Sequence, residues 1–182
     1  MVALTTPEIK KGWHAQDFNL ISVDNRYYNL ESVKGKKGLV IAFICNHCPY
    51  VRSIATKIVK EANELKSFEV NFVAINSNDF VSYPEDSFEK MKIFAETYDF
   101  NFPYLLDKSQ DIAKKYGAVC TPDFFGFNAK LELNYRGRLD ASRKISLDNV
   151  KRELFIAMSE IAMNYEFNGE QFPSIGCSIK WK

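Results

Sequence analysis

The chain has 182 residues, enough for one domain that buries roughly 70% of its unfolded surface without disulfides as structural staples. Its 24 Lys and Arg residues nearly balance 23 Asp and Glu residues, so the net charge of +1 gives no reason to expect nucleic acid or an anionic membrane as partner. The N-terminus lacks the pattern of a signal peptide and no run reaches membrane-spanning length, which predicts a cytoplasmic protein.

The first third of the chain predicts a hairpin, a buried strand and a long helix. Residues 18–23 and 26–30 flank a dipeptide suited to a two-residue turn. The apolar run Leu39–Ile44 lacks alternation, which is typical of a strand covered on both faces. After Pro49, apolar residues recur at three- and four-residue spacing to about Lys66, which predicts an amphipathic helix with proline in its first turn.

The middle of the chain continues this alternation of strands and helices. Residues 69–75 predict the next strand, and Asp86 with Glu89 resembles a capping box that would start a second helix. A short strand at 104–106 and a small helix over 109–116, ended by a glycine, follow.

The last third predicts a closing hairpin and a final helix. Residues 123–127 and 131–136 are the two hairpin strands, Ser146 caps the helix, and residues 164–182 are expected to form an irregular tail. We find no repeat, low-complexity stretch or linker, which predicts a single domain over residues 1–182 with its core at about 15–163.

This order of elements predicts an α/β fold, with a central mixed sheet, helices on both faces, an N-terminal hairpin and a helical insert. Ligand chemistry in such sheets lies at the carboxyl ends of the strands, where Cys45 and Cys48 fall. Two cysteines spaced this way at the first turn of a helix can close a small disulfide ring. The helix N-terminus and His47 can also stabilise one of them as thiolate, so the sequence predicts thiol chemistry.

The Cys-Asn-His-Cys motif at 45–48 after a core strand, the Thr121-Pro122 step and the helical insert resemble the thioredoxin superfamily. The insert and the segment 117–122 look most like its peroxiredoxin-like branch, with the alkyl hydroperoxide reductase and thiol-specific antioxidant proteins, and its membrane-anchored reductases. The resemblance covers roughly residues 15–160. It implies a thioredoxin-like fold, and a cis peptide bond before Pro122, which would pack beside the redox pair and help to hold a substrate chain.

The resemblance also implies a thiol-disulfide oxidoreductase mechanism. Cys45, as the more exposed cysteine, would attack a disulfide-containing protein or a small oxidant, Cys48 would resolve the mixed disulfide, and an external thiol reductant would restore the pair. The Cys45-Cys48 disulfide would be the redox group, with no other cofactor and no metal. A protonated His47 could lower the pKa of Cys45, although a solvated loop histidine is an equally good interpretation. An exposed sheet edge or the tail could support a homodimer.

A peroxiredoxin-like thiol peroxidase is the alternative enzyme. Cys48 would be the peroxidatic cysteine, but Cys45 stands where those enzymes carry Thr or Ser, and Ile41 stands where they carry an earlier proline. Arg136 and Arg138 could stabilise the thiolate and polarise a peroxide, although solvated surface arginines are the commoner interpretation.

Three further residues are weaker candidates. Cys120 precedes Thr121 and is either a third redox partner or a small buried apolar residue. Asp79 follows a strand and could accept a proton if burial raised its pKa, although a loop aspartate that binds backbone amides is commoner. Cys177 lies in the tail, where a structural role is the more frequent one, although the tail could fold back over the site.

A non-catalytic thiol or metal-binding module is the third hypothesis. A structural zinc site at Cys45 and Cys48 would need two more ligands. The candidates are Cys120, Cys177, His14 and His47. None of these lies in a second Cys-x-x-Cys, which favours redox chemistry over metal binding.

Overall fold

The structure, a computed structural model, describes residues 3–8 and 10–182, over which ten strands and five helices are formed. The strands are β1 (Ala3–Thr5), β2 (Asn19–Ser22), β3 (Tyr27–Asn29), β4 (Gly38–Phe43), β5 (Val70–Asn76), β6 (Tyr104–Leu106), β7 (Cys120–Thr121), β8 (Asp123–Asn128), β9 (Leu133–Gly137) and β10 (Ile175–Ser178). The helices are α1 (Leu30–Val33), α2 (Pro49–Leu65), α3 (Phe88–Thr97), α4 (Asp111–Tyr116) and α5 (Glu153–Asn164). None of the helices in these ranges is long and apolar enough to cross a membrane.

The larger sheet has seven strands in the order β3-β2-β6-β5-β4-β8-β9. The central strand β4 runs parallel to β5 and antiparallel to β8, so the sheet is mixed as predicted. All six residues of β4 are buried, which explains why its sequence shows no alternation of apolar and polar residues.

Helices cover both faces of this sheet, which confirms the predicted layers. Val40 and Ala42 of β4 point to the face covered by α2, α3 and α5, whereas Leu39, Ile41 and Phe43 point to the face covered by α1 and α4. Successive residues of a strand face opposite ways, so one short strand supplies both cores. Each Val, Leu, Ile or Phe side chain buried in this way stabilises the fold by roughly 1.5–3 kcal/mol.

A smaller antiparallel sheet, in the order β1-β10-β7, was not predicted. The expectation of an irregular tail is therefore wrong for β10. This strand pairs with strands that are distant in sequence, so no local pattern predicts it. The chain passes from β7 to β8 through the Thr121-Pro122 peptide bond, which is cis as the resemblance implied.

The predicted start of the last helix at Ser146 is wrong, since α5 begins at Glu153. The preceding loop is held by Lys57, whose ammonium group donates to Asp140 at 2.6 Å, to Ser142 at 3.1 Å and to the Leu147 carbonyl at 2.5 Å. These contacts fix the loop in a non-helical path.

The capping role predicted for Asp86 is also wrong. Helix α3 begins at Phe88 after Ser87, and Asp86 ends a separate turn of 3-10 helix. Its carboxylate points away from α3 and toward the cysteine motif, where backbone and side-chain donors replace those of a helix. Two boundaries shift as well, because α4 starts at Asp111 and β9 starts at Leu133.

Candidate redox site

The two cysteines of the motif lie between the end of β4 and the first turn of α2. Cys48 is the N-cap of α2 and Pro49 is its first residue, as the sequence predicted. Cys45 is 1% exposed and Cys48 is 0% exposed, so the expected difference in exposure between them is not found. All four cysteines of the chain are free thiols in this structure.

Hydrogen bonds from several elements set the pKa of Cys48. The Cys45 thiol donates to its sulfur, as do the Cys177 thiol, the Cys177 backbone N–H and the Val51 backbone N–H, and together they lower the pKa of Cys48 from 9.0 to about 5 although burial opposes this. The Thr121 carbonyl opposes it too, because it lies 3.2 Å from the sulfur and accepts a hydrogen bond from the protonated thiol. The net effect favours the thiolate, so Cys48 is the cysteine of the pair with the lower pKa.

Cys45 has the opposite surroundings. Burial, the hydrogen bond to Cys48 and the negative charge of Asp86 raise the pKa of Cys45 well above its usual value, and the Thr121 hydroxyl 3.3 Å away only partly offsets them. The expectation that His47 lowers the pKa of Cys45 is therefore wrong, because the carboxylate that binds His47 also faces Cys45.

Asp86 organises the two residues between the cysteines. Its fully buried carboxylate accepts from the Asn46 N–H at 2.8 Å, from His47 Nδ1 at 2.6 Å and from Asn78 Nδ2 at 2.7 Å. The Tyr104 hydroxyl donates to Asn46 Oδ1 at 2.9 Å. The hydrogen bond to Asp86 raises the pKa of His47. Sequence reasoning assigned Asp86 to a helix cap and missed this role.

The same cluster contains the one grouping of metal-ligand type that the described residues form. Ligand atoms of Cys45, His47 and Asp86 all lie within 4.8 Å of one another. A metal ion there would displace hydrogen bonds that both carboxylate oxygens already accept. The larger zinc set considered from the sequence is not brought together, because this grouping leaves out Cys120 and His14, and His14 bridges Glu132 instead.

Cys120 and Asp79, two of the weaker candidates, have surroundings that are typical of structural residues. Cys120 is buried, its thiol lies 3.9 Å from the Pro122 carbonyl, and burial raises its pKa. Asp79 accepts hydrogen bonds from Ser82 and Val81, which lower its pKa. The interpretation of Asp79 as a loop aspartate that binds backbone amides is therefore confirmed, and its role as a proton acceptor with a raised pKa is wrong.

The two candidate arginines are already paired with carboxylates. Arg136 donates to Asp123 at 2.9 Å and to the Gly117 carbonyl at 2.7 Å, while Arg138 forms two hydrogen bonds of 2.8 and 2.7 Å to Glu153. Burial raises the pKa of Asp123 to about 6 although Arg136 opposes this. These hydrogen bonds do not involve the cysteines, and Arg136 is not the solvated surface residue that the alternative interpretation described.

Cys177 reaches the site from the tail. It lies opposite Thr121 in the pairing of β10 with β7, and its thiol and N–H both contact the Cys48 sulfur. The sequence offered only a weak signal for this, namely a cysteine within a short tail of uncertain structure.

Solved structures and curated proteins agree with this description. The chain matches a crystal structure of an uncharacterised conserved protein from Geobacillus kaustophilus with a TM-score of 0.93 and 44% identity, covering 100% of this chain and 97% of that one. The thioredoxin domain of a thiol-disulfide oxidoreductase from Bacteroides vulgatus matches with a TM-score of 0.65 and 14% identity over 85% of this chain and 99% of that one, which shows the thioredoxin fold.

Among curated proteins, the thioredoxin-like protein YneN of Bacillus subtilis (strain 168) is 28% identical over 148 residues, which are 77% of this chain and 81% of YneN. The model of the AhpC/TSA family matches residues 12–142, a range that includes the cysteine motif, Asp86 and the cis proline. A match over more than half of the sequence establishes the relationship: the chain belongs to the AhpC/TSA family.

Proposed function

We propose that this protein is a thiol-disulfide oxidoreductase whose redox centre is the pair Cys45 and Cys48. The observation that carries the proposal is the position of the pair at the first turn of α2 and beside the cis proline, where the Cys48 sulfur lies 3.2 Å from the Thr121 carbonyl and the Cys45 sulfur lies 3.3 Å from the Thr121 hydroxyl. The lowered pKa of Cys48 supports it. A thiolate is the form that attacks a disulfide, and a second sulfur within reach is what resolves the mixed disulfide.

The reaction would convert a substrate disulfide into two thiols. One sulfur of the pair attacks, one substrate sulfur leaves as thiolate, and the other cysteine then releases the second substrate sulfur and closes the Cys45-Cys48 disulfide. The substrate gains two electrons, which the pair loses. An external thiol reductant, in the cytoplasm expected from the sequence, would return them.

The order of attack depends on the proton that the two sulfurs share. The assignment from the resemblance, with Cys45 attacking and Cys48 resolving, requires this proton to pass from Cys45 to Cys48, and their hydrogen bond offers the route. The reverse order needs no such transfer, and the donors around Cys48 favour it. Both sulfurs are buried, so a substrate must move the residues that cover them. A protein disulfide has to move more of these residues than a small disulfide does.

The test is reduction of one small aromatic disulfide and one protein disulfide by the reduced protein, measured as thiol release. In a protein that also carries Cys177→Ser, which removes a third thiol beside Cys48, Cys45→Ser and Cys48→Ser should each abolish turnover, and the variant that accumulates a mixed disulfide identifies the attacking sulfur as the one it retains. Cys120→Ala is the matched control and should remain active. If the protein reduces neither disulfide, or if both serine variants match the parent, the proposal is wrong.

A peroxiredoxin-like peroxidase is the second candidate, favoured by the low pKa of Cys48. Its weakness is that Arg136 and Arg138 are engaged by Asp123 and Glu153. Brief peroxide treatment of a protein that carries both Cys45→Ser and Cys177→Ser should place a sulfenic acid on Cys48, detected by mass spectrometry after trapping. Unmodified Cys48, together with no peroxide consumption by the parent protein supplied with a thiol reductant, would exclude this activity.

A further inference from the structure

We propose that Cys177, on β10, is a third redox residue that acts as a second resolving thiol for Cys48. The proposal rests on the proposed function, because the oxidant is the substrate disulfide. It goes beyond the two-cysteine mechanism by giving the oxidised protein an additional disulfide, between Cys48 and Cys177.

The position of β10 is the first observation. Cys177 lies opposite Thr121 and Ser178 lies opposite Cys120, so the strand runs antiparallel along the residues that precede the cis proline. A Cβ atom at Gly176 would collide with the Thr121 carbonyl, which means that only glycine lets β10 approach β7 this closely. The tail thus occupies the place where the resemblance would put a substrate chain.

The contact between sulfurs is the second observation. The Thr121 carbonyl, in the residue opposite Cys177, is 3.2 Å from the Cys48 sulfur, and both the thiol and the N–H of Cys177 reach the same sulfur. Cys120 neighbours Cys177 across the strands, but its thiol faces the Pro122 carbonyl. Cys177 is therefore the tail-side thiol with access to the pair.

The anchoring of the tail is the third observation. Beyond β10, the Lys180 N–H donates to Asn78 Oδ1 at 2.9 Å, and the Lys180 carbonyl accepts from the Asp79 N–H and from Gln110 Nε2, each at 2.8 Å. Before β10, the Thr6 N–H donates to the Ser174 carbonyl at 3.1 Å. Contacts on both sides hold Cys177 against Cys48.

The step is a disulfide exchange that starts from the Cys45-Cys48 disulfide. Cys177 loses its proton and its sulfur attacks the Cys48 sulfur, the Cys45-Cys48 bond breaks, and Cys45 leaves as a thiolate that takes up the proton. No net electrons move. In the reduced protein, burial first and then the hydrogen bond and charge of Cys48 raise the pKa of Cys177 to about 12. Oxidation removes the charge of Cys48, so Cys177 becomes easier to deprotonate once its target is formed.

The experiment maps disulfides in the full-length protein after reaction with glutathione disulfide, acid quenching, alkylation and peptide mass spectrometry. The parent protein should yield both the Cys45-Cys48 and the Cys48-Cys177 linkages. Cys45→Ser should yield Cys48-Cys177 with loss of two hydrogens and no retained glutathione, because Cys177 expels glutathione from Cys48. Cys45→Ser with Cys177→Ser should keep glutathione on Cys48, whereas Cys45→Ser with Cys120→Ala should still form the linkage.

Two results would overturn the inference. One is a Cys45→Ser protein that retains glutathione on Cys48, or leaves Cys48 unreacted, without a Cys48-Cys177 linkage. The other is a parent protein that turns over with Cys45-Cys48 as its sole disulfide and at a rate unchanged by Cys177→Ser. Failure of the proposed function differs from both, because it would show as no reduction of any disulfide by the parent protein.

Discussion

Two segments flank the redox pair and act on it in opposite directions. The Asp86 turn places a buried negative charge beside Cys45, whereas β10 places the thiol and the N–H of Cys177 against Cys48. One flank therefore opposes a thiolate and the other supports one. The hydrogen bond between the two sulfurs is the main source of the difference between their pKa values, together with the burial of Cys45, and these two distant segments increase that difference.

The two segments also differ in the kind of hydrogen bond that they offer to the motif. Asp86 is an acceptor, and it fixes the Asn46-His47 loop by receiving its N–H groups. Strand β10, the donor flank, supplies the thiol and the N–H of Cys177, which stabilise negative charge on the Cys48 sulfur. The Asp86 turn is the acceptor flank. Changes at Asp86 should thus act mainly on folding, and changes at β10 mainly on reactivity.

The largest expected effect is that of Asp86→Ala, which removes the acceptor flank. It would leave the buried donors of Asn46, His47 and Asn78 without their partner, so we expect the free energy of unfolding to fall by about 3–5 kcal/mol. Denaturant titration measures the loss. Asp86→Asn keeps the shape and one acceptor oxygen and should lose less, and equal stability of all three proteins would contradict the role given to Asp86.

The next effect is that of Gly176→Ala, which displaces the donor flank. Because the added methyl group meets the Thr121 carbonyl, we expect a loss of about 1–3 kcal/mol and a rise in the pKa of Cys48 as the Cys177 N–H moves away. Thermal unfolding and pH-dependent alkylation measure the two results. Ser178→Ala, on the same strand, serves as control; a Gly176→Ala protein with parental stability and parental thiol titration would show that β10 is not closely packed.

A pH titration sharpens the comparison without a mutation. The folded pKa of Cys48 lies below its usual value, so the stability it contributes is complete above pH 9.0 and is lost as pH falls toward about 5. Between these values its contribution rises with pH by up to about 1.4 kcal/mol per unit. Thiolate ultraviolet absorbance should titrate near 5 in the parent protein and at higher pH in Cys45→Ala, because this variant loses the main donor to the Cys48 sulfur. A midpoint near the usual thiol value in the parent protein would refute the assignment.

The smallest effect concerns His47, which depends on the acceptor flank alone. Asp86 raises its pKa above 6.5, so its contribution to stability is complete below that value and is lost as pH rises through the raised pKa. Asp86→Asn should lower the His47 pKa toward its usual value, as followed by nuclear magnetic resonance of the imidazole ring. The chain has only two histidines, and His14, which bridges Glu132, is the internal control whose ring signals should be unaffected by the mutation.

The elements that depend on local patterns could be predicted from the sequence. The continuous apolar run of β4 and the spacing in α2 reflect burial, which determines residue type position by position, so the place of Cys45 and Cys48 between them was predictable. The start of α5 was not, because a serine followed by polar residues is the same pattern whether Lys57 holds the loop or a helix begins.

The flanks of the site were not predictable for a related reason. Asp86 sits in an acidic segment that looks like a helix start, and its real partners, Asn46 and His47, are far away in sequence. Strand β10 is short, contains glycine and lacks β-branched residues apart from Ile175, so its pairing depends on β1 and β7. Tertiary contacts determined both, and only the structure reveals them.

The smaller sheet has a consequence for the order of folding. Its strands β1, β7 and β10 come from widely separated parts of the chain, so their pairing closes long loops and should form after the locally connected hairpins and helices. Until then Cys177 has not met Cys48, and four free thiols are less protected than in the finished structure. Refolding under oxidising conditions would expose this interval to mispaired cysteines, whereas a reducing environment would let the protein pass through it unharmed.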